Sequence, residues 1–258
     1  MVDITSRVFY IDGMNRSTAK QEFAFETPEQ KASYVQDMFD RIAPRYDLMN
    51  RIMTLGRDQT WRRLLIKRAG VKSGARVLDI ATGTADLAVA ARNAGAAKIV
   101  AADFSLRMLA SARPKIEPRD NSPFLLAAAD GLQMPFHDNC FDAVVTGFSL
   151  RNVGDLDHFL WEMARVTRSG GWVACLEIYS PTLPGFRSFF SWYFGKVVPR
   201  IGSWLAQVRD AYTYLPYSVS VFVSPAELRD KLLAVGLQEC GYETLMLGAI
   251  AVHYGRKP

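Results

Sequence analysis

Cysteine is scarce in this chain. Three cysteines in 258 residues, at positions 140, 175 and 240, make no close pair. That spacing argues against a disulfide framework or a thiolate zinc cluster. Long apolar runs are missing too, since no uninterrupted stretch approaches the ~18 residues a membrane helix needs. The opening Met-Val-Asp-Ile-Thr-Ser-Arg lacks the apolar core of a signal peptide. Charge of one sign is modest: 31 basic and 26 acidic residues leave a formal +5. Such a spread-out excess permits nucleic-acid or anionic-membrane contact without arguing for either. What is present, 49% apolar and 22% charged residues, is an ordinary globular composition. The length exceeds one minimal domain, yet a single α/β unit with extensions fills it. The expectation is a cytoplasmic protein from a reducing compartment.

Residues 1–26 have no clear period and read as a loosely held arm. Thr27-Pro28-Glu29-Gln30 reads as a helix start, with Thr27 capping, proline at the first turn and Gln30 completing a capping box. Val35, Met38, Phe39 and Ile42 then form one apolar stripe before Pro44 ends the helix. A second helix carries Trp61, Leu64 and Leu65 and stops near Gly70. Residues 1–70 are thus expected to form an arm and helical cap on a larger domain, 71–258.

From Arg76 the pattern turns to short apolar runs between helical segments. Arg76–Ile80, Lys98–Asp103, Phe124–Ala128, Phe141–Thr146 and Trp172–Ile178 are expected as buried strands. Helices begin near Thr84, Leu106 and Leu156. This alternation predicts a parallel sheet covered by helices on both faces. Ser224-Pro225-Ala226-Glu227 opens a last helix that Gly236 stops. Gln238–Leu245 and Ala249–Tyr254 lie too close for a parallel crossover and must pair antiparallel. The fold expected is α/β, a doubly wound, mostly parallel sheet ending in an antiparallel hairpin.

Val77-Leu78-Asp79-Ile80-Ala81-Thr82-Gly83-Thr84-Ala85-Asp86 runs from a strand through small residues into a helix. Small residues let a ligand approach the backbone, and the helix start favours an anionic group. Asp103 ends the next strand, where an acid can accept hydrogen bonds from both ribose hydroxyls of an adenosine. A dinucleotide fingerprint needs three glycines, and Gly83, Ala85 and Ala88 occupy those positions. That argues against an NAD-type oxidoreductase. The acid four residues before Gly83 and the terminal hairpin resemble the class I S-adenosylmethionine-dependent methyltransferases, a Rossmann-like fold with a seven-stranded sheet. Ala129-Asp130-Gly131 lies where such enzymes contact adenine, and Ala85 replaces a common glycine, predicting a stiffer loop. Asp79, Gly83 and Asp103 together argue against a non-catalytic methyltransferase-like subunit. Amino-methylating nucleic-acid enzymes carry Asn/Asp-Pro-Pro-aromatic where this chain has Thr146-Gly147-Phe148-Ser149, so no nucleic-acid partner is expected.

Three further segments narrow the resemblance. They are Phe39-Asp40-Arg41-Ile42-Ala43-Pro44-Arg45-Tyr46-Asp47-Leu48-Met49-Asn50, Phe148-Ser149-Leu150-Arg151-Asn152-Val153, and Ala249-Ile250-Ala251-Val252-His253-Tyr254-Gly255. Together they are similar to the ubiquinone/menaquinone biosynthesis C-methyltransferases (the UbiE family) over residues 33–258. The resemblance implies methyl transfer from S-adenosylmethionine to a ring carbon of a prenylated quinol, a demethylmenaquinol or a ubiquinol precursor. A related enzyme acting on another phenolic or polyketide acceptor is the alternative. The cofactor positions implied are Thr84, Asp103, Asp130, Gly131 and Gly147, joined by Asp79, Thr82 and Gly83 of the loop and by Phe104. The family usually reads Ser-Phe-Gly where this chain has Gly147-Phe148-Ser149, and Glu-Phe-Ser-x-Pro where it has Glu177-Ile178-Tyr179-Ser180-Pro181.

Methyl transfer from a sulfonium is an in-line displacement that needs no metal. A ring carbon becomes nucleophilic once an adjacent hydroxyl loses its proton, so the site must favour a phenolate. Arg151 is the candidate for the stabilising charge, Asn152 for orienting a hydroxyl, and Tyr46 for closing over the methionine moiety or the ring. The competing assignment pairs Arg151 with Asp155 or Asp157. His253, alone in a terminal strand, is expected to be structural more than catalytic. An aromatic insert at about 182–222 contains Phe186-Arg187-Ser188-Phe189-Phe190-Ser191-Trp192-Tyr193-Phe194, then Trp204, Leu205, Val208, Tyr212 and Tyr214. It reads both as a cover for the sheet edge and as a greasy lid for a prenylated ring, with Arg187, Lys196, Arg200 and Arg209 near anionic headgroups. The partners expected are a lipophilic quinol and a membrane surface contacted peripherally. Oligomeric state is left open, a homodimer included.

Overall fold

The computed structural model describes residues 23, 25–116, 124–198, 200 and 209–258, with the side chains of 209–212 left aside. Most of the expected arm, and Trp204, Leu205, Val208 and the Tyr212 and Arg209 side chains of the insert, lie outside what is described. The cap comprises α1 (Pro28–Ile42), a 3-10 turn (Ala43–Arg45), α2 (Tyr46–Thr54) and α3 (Asp58–Arg68). Then follow β1 (Arg76–Ile80), α4 (Asp86–Asn93), β2 (Lys98–Asp103), α5 (Leu106–Ile116), β3 (Phe124–Ala128) and β4 (Phe141–Gly147). A 3-10 turn (Leu150–Asn152), α6 (Leu156–Val166), β5 (Thr167–Ile178) and α7 (Pro184–Trp192) come next. The chain closes with α8 (Arg209–Val221), α9 (Pro225–Ala234), β6 (Gln238–Leu245) and β7 (Ile250–Arg256).

The seven strands form one sheet in the order β3-β2-β1-β4-β5-β7-β6. The first five run parallel. β7 is antiparallel to both β5 and β6, as the short β6–β7 connection requires. Period-two alternation along each central strand divides the core between two faces. Val77, Ala101, Val145, Ala174 and Leu176 pack on one side with α3, α4 and α5. Leu78, Ala102, Val144, Val173 and Cys175 pack on the other with Phe159, Leu160 and Met163 of α6 and Leu228 and Leu232 of α9. A third cluster joins Val35, Met38, Ile42 and Met49 of the cap to Met108 of α5 and Tyr214 of α8.

Several local expectations shift. Thr27 caps α1 by accepting from Gln30 N–H at 3.3 Å, but the Gln30 side chain receives Glu26 N–H at 2.9 Å, so the box closes one residue early. The Ser224–Glu227 box is complete. Helix α4 begins at Asp86 because Ala85 is left-handed (φ +66) and turns the chain first. Such a backbone costs a non-glycine residue roughly 1–2 kcal/mol, so alanine is accommodated there under strain. Tyr-Asp-Leu-Met-Asn, recognised only as a motif, opens a helix of its own, α2. β5 starts at Thr167, five residues before Trp172, across an irregularity in its register with β4.

Candidate active site

Parallel strands bring their carboxyl ends to one edge, where open α/β sheets bind ligands. Here the ends of β3, β2, β1 and β4 stand side by side. They carry Asp130, Asp103, the Thr82–Ala85 loop and Gly147. Asp79 is fully buried in β1 and fastens the loop, its Oδ2 accepting from Thr82 Oγ1 at 2.5 Å and Ala88 N–H at 2.9 Å. Its Oδ1 has no protein partner. Burial pushes its carboxyl up to about 7, against the opposing pull of those two hydrogen bonds. Asp103 accepts Gly83 N–H at 2.8 Å and Ser105 N–H at 2.9 Å. These contacts use one lone pair on each oxygen and leave the others for a ligand. Burial raises its pKa as well. Gly83 adopts φ +56, and a Cβ there would meet the Tyr46 ring at 4.0 Å, so the ring faces the loop.

The remaining expected cofactor residues are placed unevenly. Thr84 is buried, and its hydroxyl is committed to Asp47 Oδ1 at 2.5 Å. Phe104 packs with the cap cluster. Asp130 is exposed and accepts Leu132 N–H at 2.8 Å. Gly131 is demanded by packing, because a Cβ would come within 2.2 Å of the Phe159 ring. Gly147 pairs with Leu176, and a Cβ would press Leu87 at 2.9 Å.

Beside this edge opens an apolar cavity of about 310 Å³, walled by α1, α2, α7 and the ends of β5 and β7. Phe39, Met49, Trp61, Phe186, Phe190 and Phe194 give it a greasy lining. Tyr46, Arg151 and Asn152, the three expected catalytic residues, all line it, whereas none of the expected cofactor residues does. Tyr46 links the two, lining the cavity while its ring faces Gly83. Burial raises the Tyr46 phenol, opposed by Asn50 and by the positive charges of Arg62 and Arg151.

Neither expected partner holds Arg151. Its Nη1 donates to Glu177 Oε1 at 2.6 Å and to Phe148 O at 2.7 Å, while Glu177 is wholly buried. Asp155 instead caps α6 and Asp157 pairs with Lys231. The loosely matching segment thus begins within the end of β5, and its Glu177 anchors Arg151. Phe148 is left-handed (φ +61), which aims its carbonyl at Arg151 and at Asn152 Nδ2. Arg151 Nε and Asn152 Oδ1 are buried without protein partners. Such groups cost about 1–3 kcal/mol each unless a ligand satisfies them.

His253 is elsewhere. It is fully buried on the α9 face, with Nε2 3.0 Å from Pro225 O and its ring between Tyr179 and Tyr242. Burial lowers it to about 4. Sequence reading missed Asp47, Asp58 and Lys115. Asp47 takes the Thr84 hydroxyl and the Lys115 ammonium, the latter at 2.6 Å. Asp58 is the one carboxylate in the cavity wall among the described residues. In the sequence Asp58 is only an acid two residues after Leu55-Gly56 at a helix start, which does not distinguish it from an ordinary first-turn acid.

The family profile described as the ubiE/COQ5 methyltransferase family matches residues 27–257. The chain belongs to this family. It is similar to a demethylmenaquinone methyltransferase of Roseiflexus sp. (strain RS-1), 43% identical over 233 residues, which cover 89% of this chain and 96% of the relative. It is also 38% identical to a ubiquinone/menaquinone biosynthesis C-methyltransferase UbiE of Geobacter sp. (strain M21), covering 88% of this chain and 98% of the other. Among solved structures, the [4+2]-cyclase SpnF aligns with a TM-score of 0.64 at 18% identity, over 90% of this chain and 96% of that one. A Haemonchus contortus phosphoethanolamine N-methyltransferase 2 aligns at 0.57 and 16%, over 76% of this chain and 52% of that one. At such identities the two structures speak for the class I methyltransferase fold alone. As a family member, this chain is an S-adenosylmethionine-dependent methyltransferase.

Proposed function

We propose that this chain methylates a ring carbon of a demethylmenaquinol-type quinol. One observation carries the reading: an apolar cavity ends in unpartnered polar groups of Arg151 and Asn152 and meets the Gly83 loop through Tyr46. A prenylated hydroquinone has the matching shape, an apolar tail with a compact polar head. The sheet edge suits an adenosine bearing an amino acid: Asp103 keeps acceptor capacity for ribose hydroxyls, and the orphaned Asp79 Oδ1 awaits a cationic donor. We assign Asp79, Thr82, Gly83, Thr84, Asp103, Phe104, Asp130, Gly131 and Gly147 to that subsite. S-adenosylmethionine, when bound, supplies a methyl group on a positively charged sulfur. Arg151, fixed by Glu177 and Phe148 O, stabilises the phenolate through its free Nε–H. Asn152 Oδ1 orients a ring hydroxyl, and Tyr46 screens the reacting groups from water. The helices between Pro28 and Arg68 serve as the cap of a catalytic domain spanning 71–258, and the described helices of the 182–222 insert as its lipid-facing part.

The rim supports collection of the quinol from a membrane surface. Among the described residues no helix is long and apolar enough to cross a membrane. Yet Leu55, Met246 and Phe189 line the cavity and are exposed at its mouth, flanked by exposed Leu247 and Trp192. Leu55, Met246 and Leu247 are all left-handed, φ +52, +49 and +53. Bulky side chains held outward on strained backbone suit insertion among acyl chains. The exposed Arg51 and Arg57 beside Leu55 suit anionic headgroups.

The decisive experiment is transfer of a labelled methyl group from S-adenosylmethionine to a short-tailed demethylmenaquinol kept reduced, with the oxidised quinone as control. Label on the quinol alone is expected, because the quinone has no ionisable hydroxyl. No label on the quinol with label on a benzoquinol or another phenol would transfer the reading to that acceptor.

A further inference from the structure

Forming a phenolate requires somewhere for the proton to go, and the groups already assigned do not take it. Arginine stays protonated in proteins, and Glu177 is sealed beneath Arg151 and does not line the cavity. Asp79 and Asp103 stand at the strand ends, also outside the cavity lining. Asp58, the first residue of α3, is 1% exposed and lines the cavity.

Its neighbours accommodate either charge state. Thr54 Oγ1 lies 3.0 Å from Asp58 Oδ1 and 2.8 Å from Asn50 O, and a hydroxyl has one hydrogen to give. With Asp58 ionised, that hydrogen points to the carboxylate. With Asp58 protonated, it turns to the Asn50 carbonyl, and the carboxylic acid donates to Thr54 Oγ1. Protonation therefore strands no donor. The other oxygen has only long contacts, Gln59 Nε2 at 3.3 Å and Arg62 Nε at 3.5 Å. Arg62 also serves Asp86 at 3.5 Å and lies over the Phe148 ring, so its charge compensates Asp58 loosely.

We infer that Asp58 is the catalytic base that removes the quinol ring-hydroxyl proton, an assignment resting on the quinol reading above. The O–H bond breaks, its proton passes to the Asp58 carboxylate, and its electron pair stays on oxygen and enters the ring. The ring carbon bonds to the methyl carbon as the methyl–sulfur bond breaks and its pair remains on sulfur. The methylated carbon then loses its hydrogen as a proton to water, which restores the aromatic phenolate. Asp58 returns its proton to that oxygen. The balance is methylated quinol, a neutral thioether and one proton released.

The charged groups around Asp58 are Arg57 next to it, Arg62 one turn along α3, Asp86 of α4 on Arg62, Lys115 of α5 on Asp86, and Arg151 in the wall of the same cavity. Asp58→Asn preserves shape and removes the base. With reduced short-tailed demethylmenaquinol, kcat is expected to fall about 100-fold or more, with S-adenosylhomocysteine affinity and Tm unchanged. Hydroxide must then supply the base, so the variant's rate should rise about tenfold per pH unit, and a ring-fluorinated, more acidic quinol should recover much of it. A second readout needs no turnover: calorimetry with 1-naphthol and 1-methoxynaphthalene, without S-adenosylmethionine. The wild type should prefer the naphthol about tenfold, one hydrogen bond to a carboxylate, and Asp58→Ala should bind both alike. Wild-type rate and pH profile in Asp58→Asn, or an unchanged naphthol preference in Asp58→Ala, would overturn the assignment. A wild type that methylates no quinol defeats the substrate reading instead, and the naphthol preference then decides Asp58 by itself.

Discussion

Truncating Arg151 does two things at once, because its partner Glu177 has no exposure to water. Arg151→Ala removes the charge facing the substrate and also strands a buried carboxylate, which costs about 3–5 kcal/mol. A loss of activity in that variant would mix chemistry with unfolding. The double variant Arg151→Met/Glu177→Gln keeps volume and strands no charge. It is expected to keep most of the wild-type Tm and its S-adenosylhomocysteine affinity while losing turnover at least 100-fold; full turnover would remove Arg151 from the chemistry. His253 makes the opposite kind of prediction, since it lies outside the site. Its folded pKa of about 4 lies below the ordinary 6.5, so between these values the unfolded chain binds more protons than the folded one. The stability it protects is complete above pH 6.5 and lost as pH falls towards 4. From pH 7 to 5 that loss is about 2 kcal/mol, and urea melts of His253→Gln should lack this part of the slope. Arg151, Asn152 and Tyr46 were singled out because each stands in a distinctive motif, and the structure brings them to one cavity wall. It missed the Arg151 partner because Asp155 and Asp157 are near in the chain, while Glu177 is near only across β4 and β5.

At the scale of elements, the cap is pinned to the two strand ends that shape the loop edge. Asp47 of α2 receives the Thr84 hydroxyl just after β1, and Asp40 of α1 receives the Ser105 hydroxyl just after β2. Lys115 of α5 ties Asp47 to Asp86 at 2.6 Å on each side. A ligand at the loop therefore lies beneath helices held by these polar contacts together with the apolar cluster that Met38, Ile42 and Met49 share with Met108. Asp47→Ala should loosen α2 without unfolding the sheet, and S-adenosylhomocysteine should dissociate about three- to tenfold faster in stopped flow; an unchanged rate would mean that α2 does not retain the ligand. The sheet itself was legible in advance, because strands buried on both faces are short apolar runs whose ends coincide with small or acidic residues. Arg76–Ile80, Lys98–Asp103 and Phe124–Ala128 have the expected limits, but Phe124–Ala128, expected as a buried strand, lies at the sheet's edge and has no buried residue. Cap geometry was not legible, because it rests on polar contacts and apolar packing between segments distant in sequence, and no periodicity encodes which segments meet. The start of β5 was missed for a related reason: Thr167–Gly171 is polar and glycine-bearing, and only its pairing beside Phe141 makes it strand.

Under the proposed function the whole molecule receives two ligands of opposite solubility, and the fold offers each its own place. One side is the polar edge formed by β3, β2, β1 and β4, and the other is an apolar cavity whose mouth carries Leu55, Met246, Leu247, Phe189 and Trp192. Tyr46 lines the cavity and faces Gly83, so on that reading the reacting groups meet at the boundary. If the rim serves to collect substrate from a bilayer, its contribution must vanish when the substrate is already in solution. Leu55→Asp/Leu247→Asp puts two charges at positions 84% and 61% exposed, where neither side chain supports the core. Burying each leucine in acyl chains is worth roughly 1.5–3 kcal/mol, and the new carboxylates also repel anionic headgroups. The variant should therefore keep wild-type kcat and KM on a short-tailed quinol in buffer. It should sediment far less with phosphatidylglycerol vesicles and methylate a long-tailed quinol held in them at least tenfold more slowly. Equal loss on both substrates would mean that the two leucines shape the cavity itself. No loss on either would leave the apolar rim without a part in lipid contact, and the quinol would have to arrive by another face.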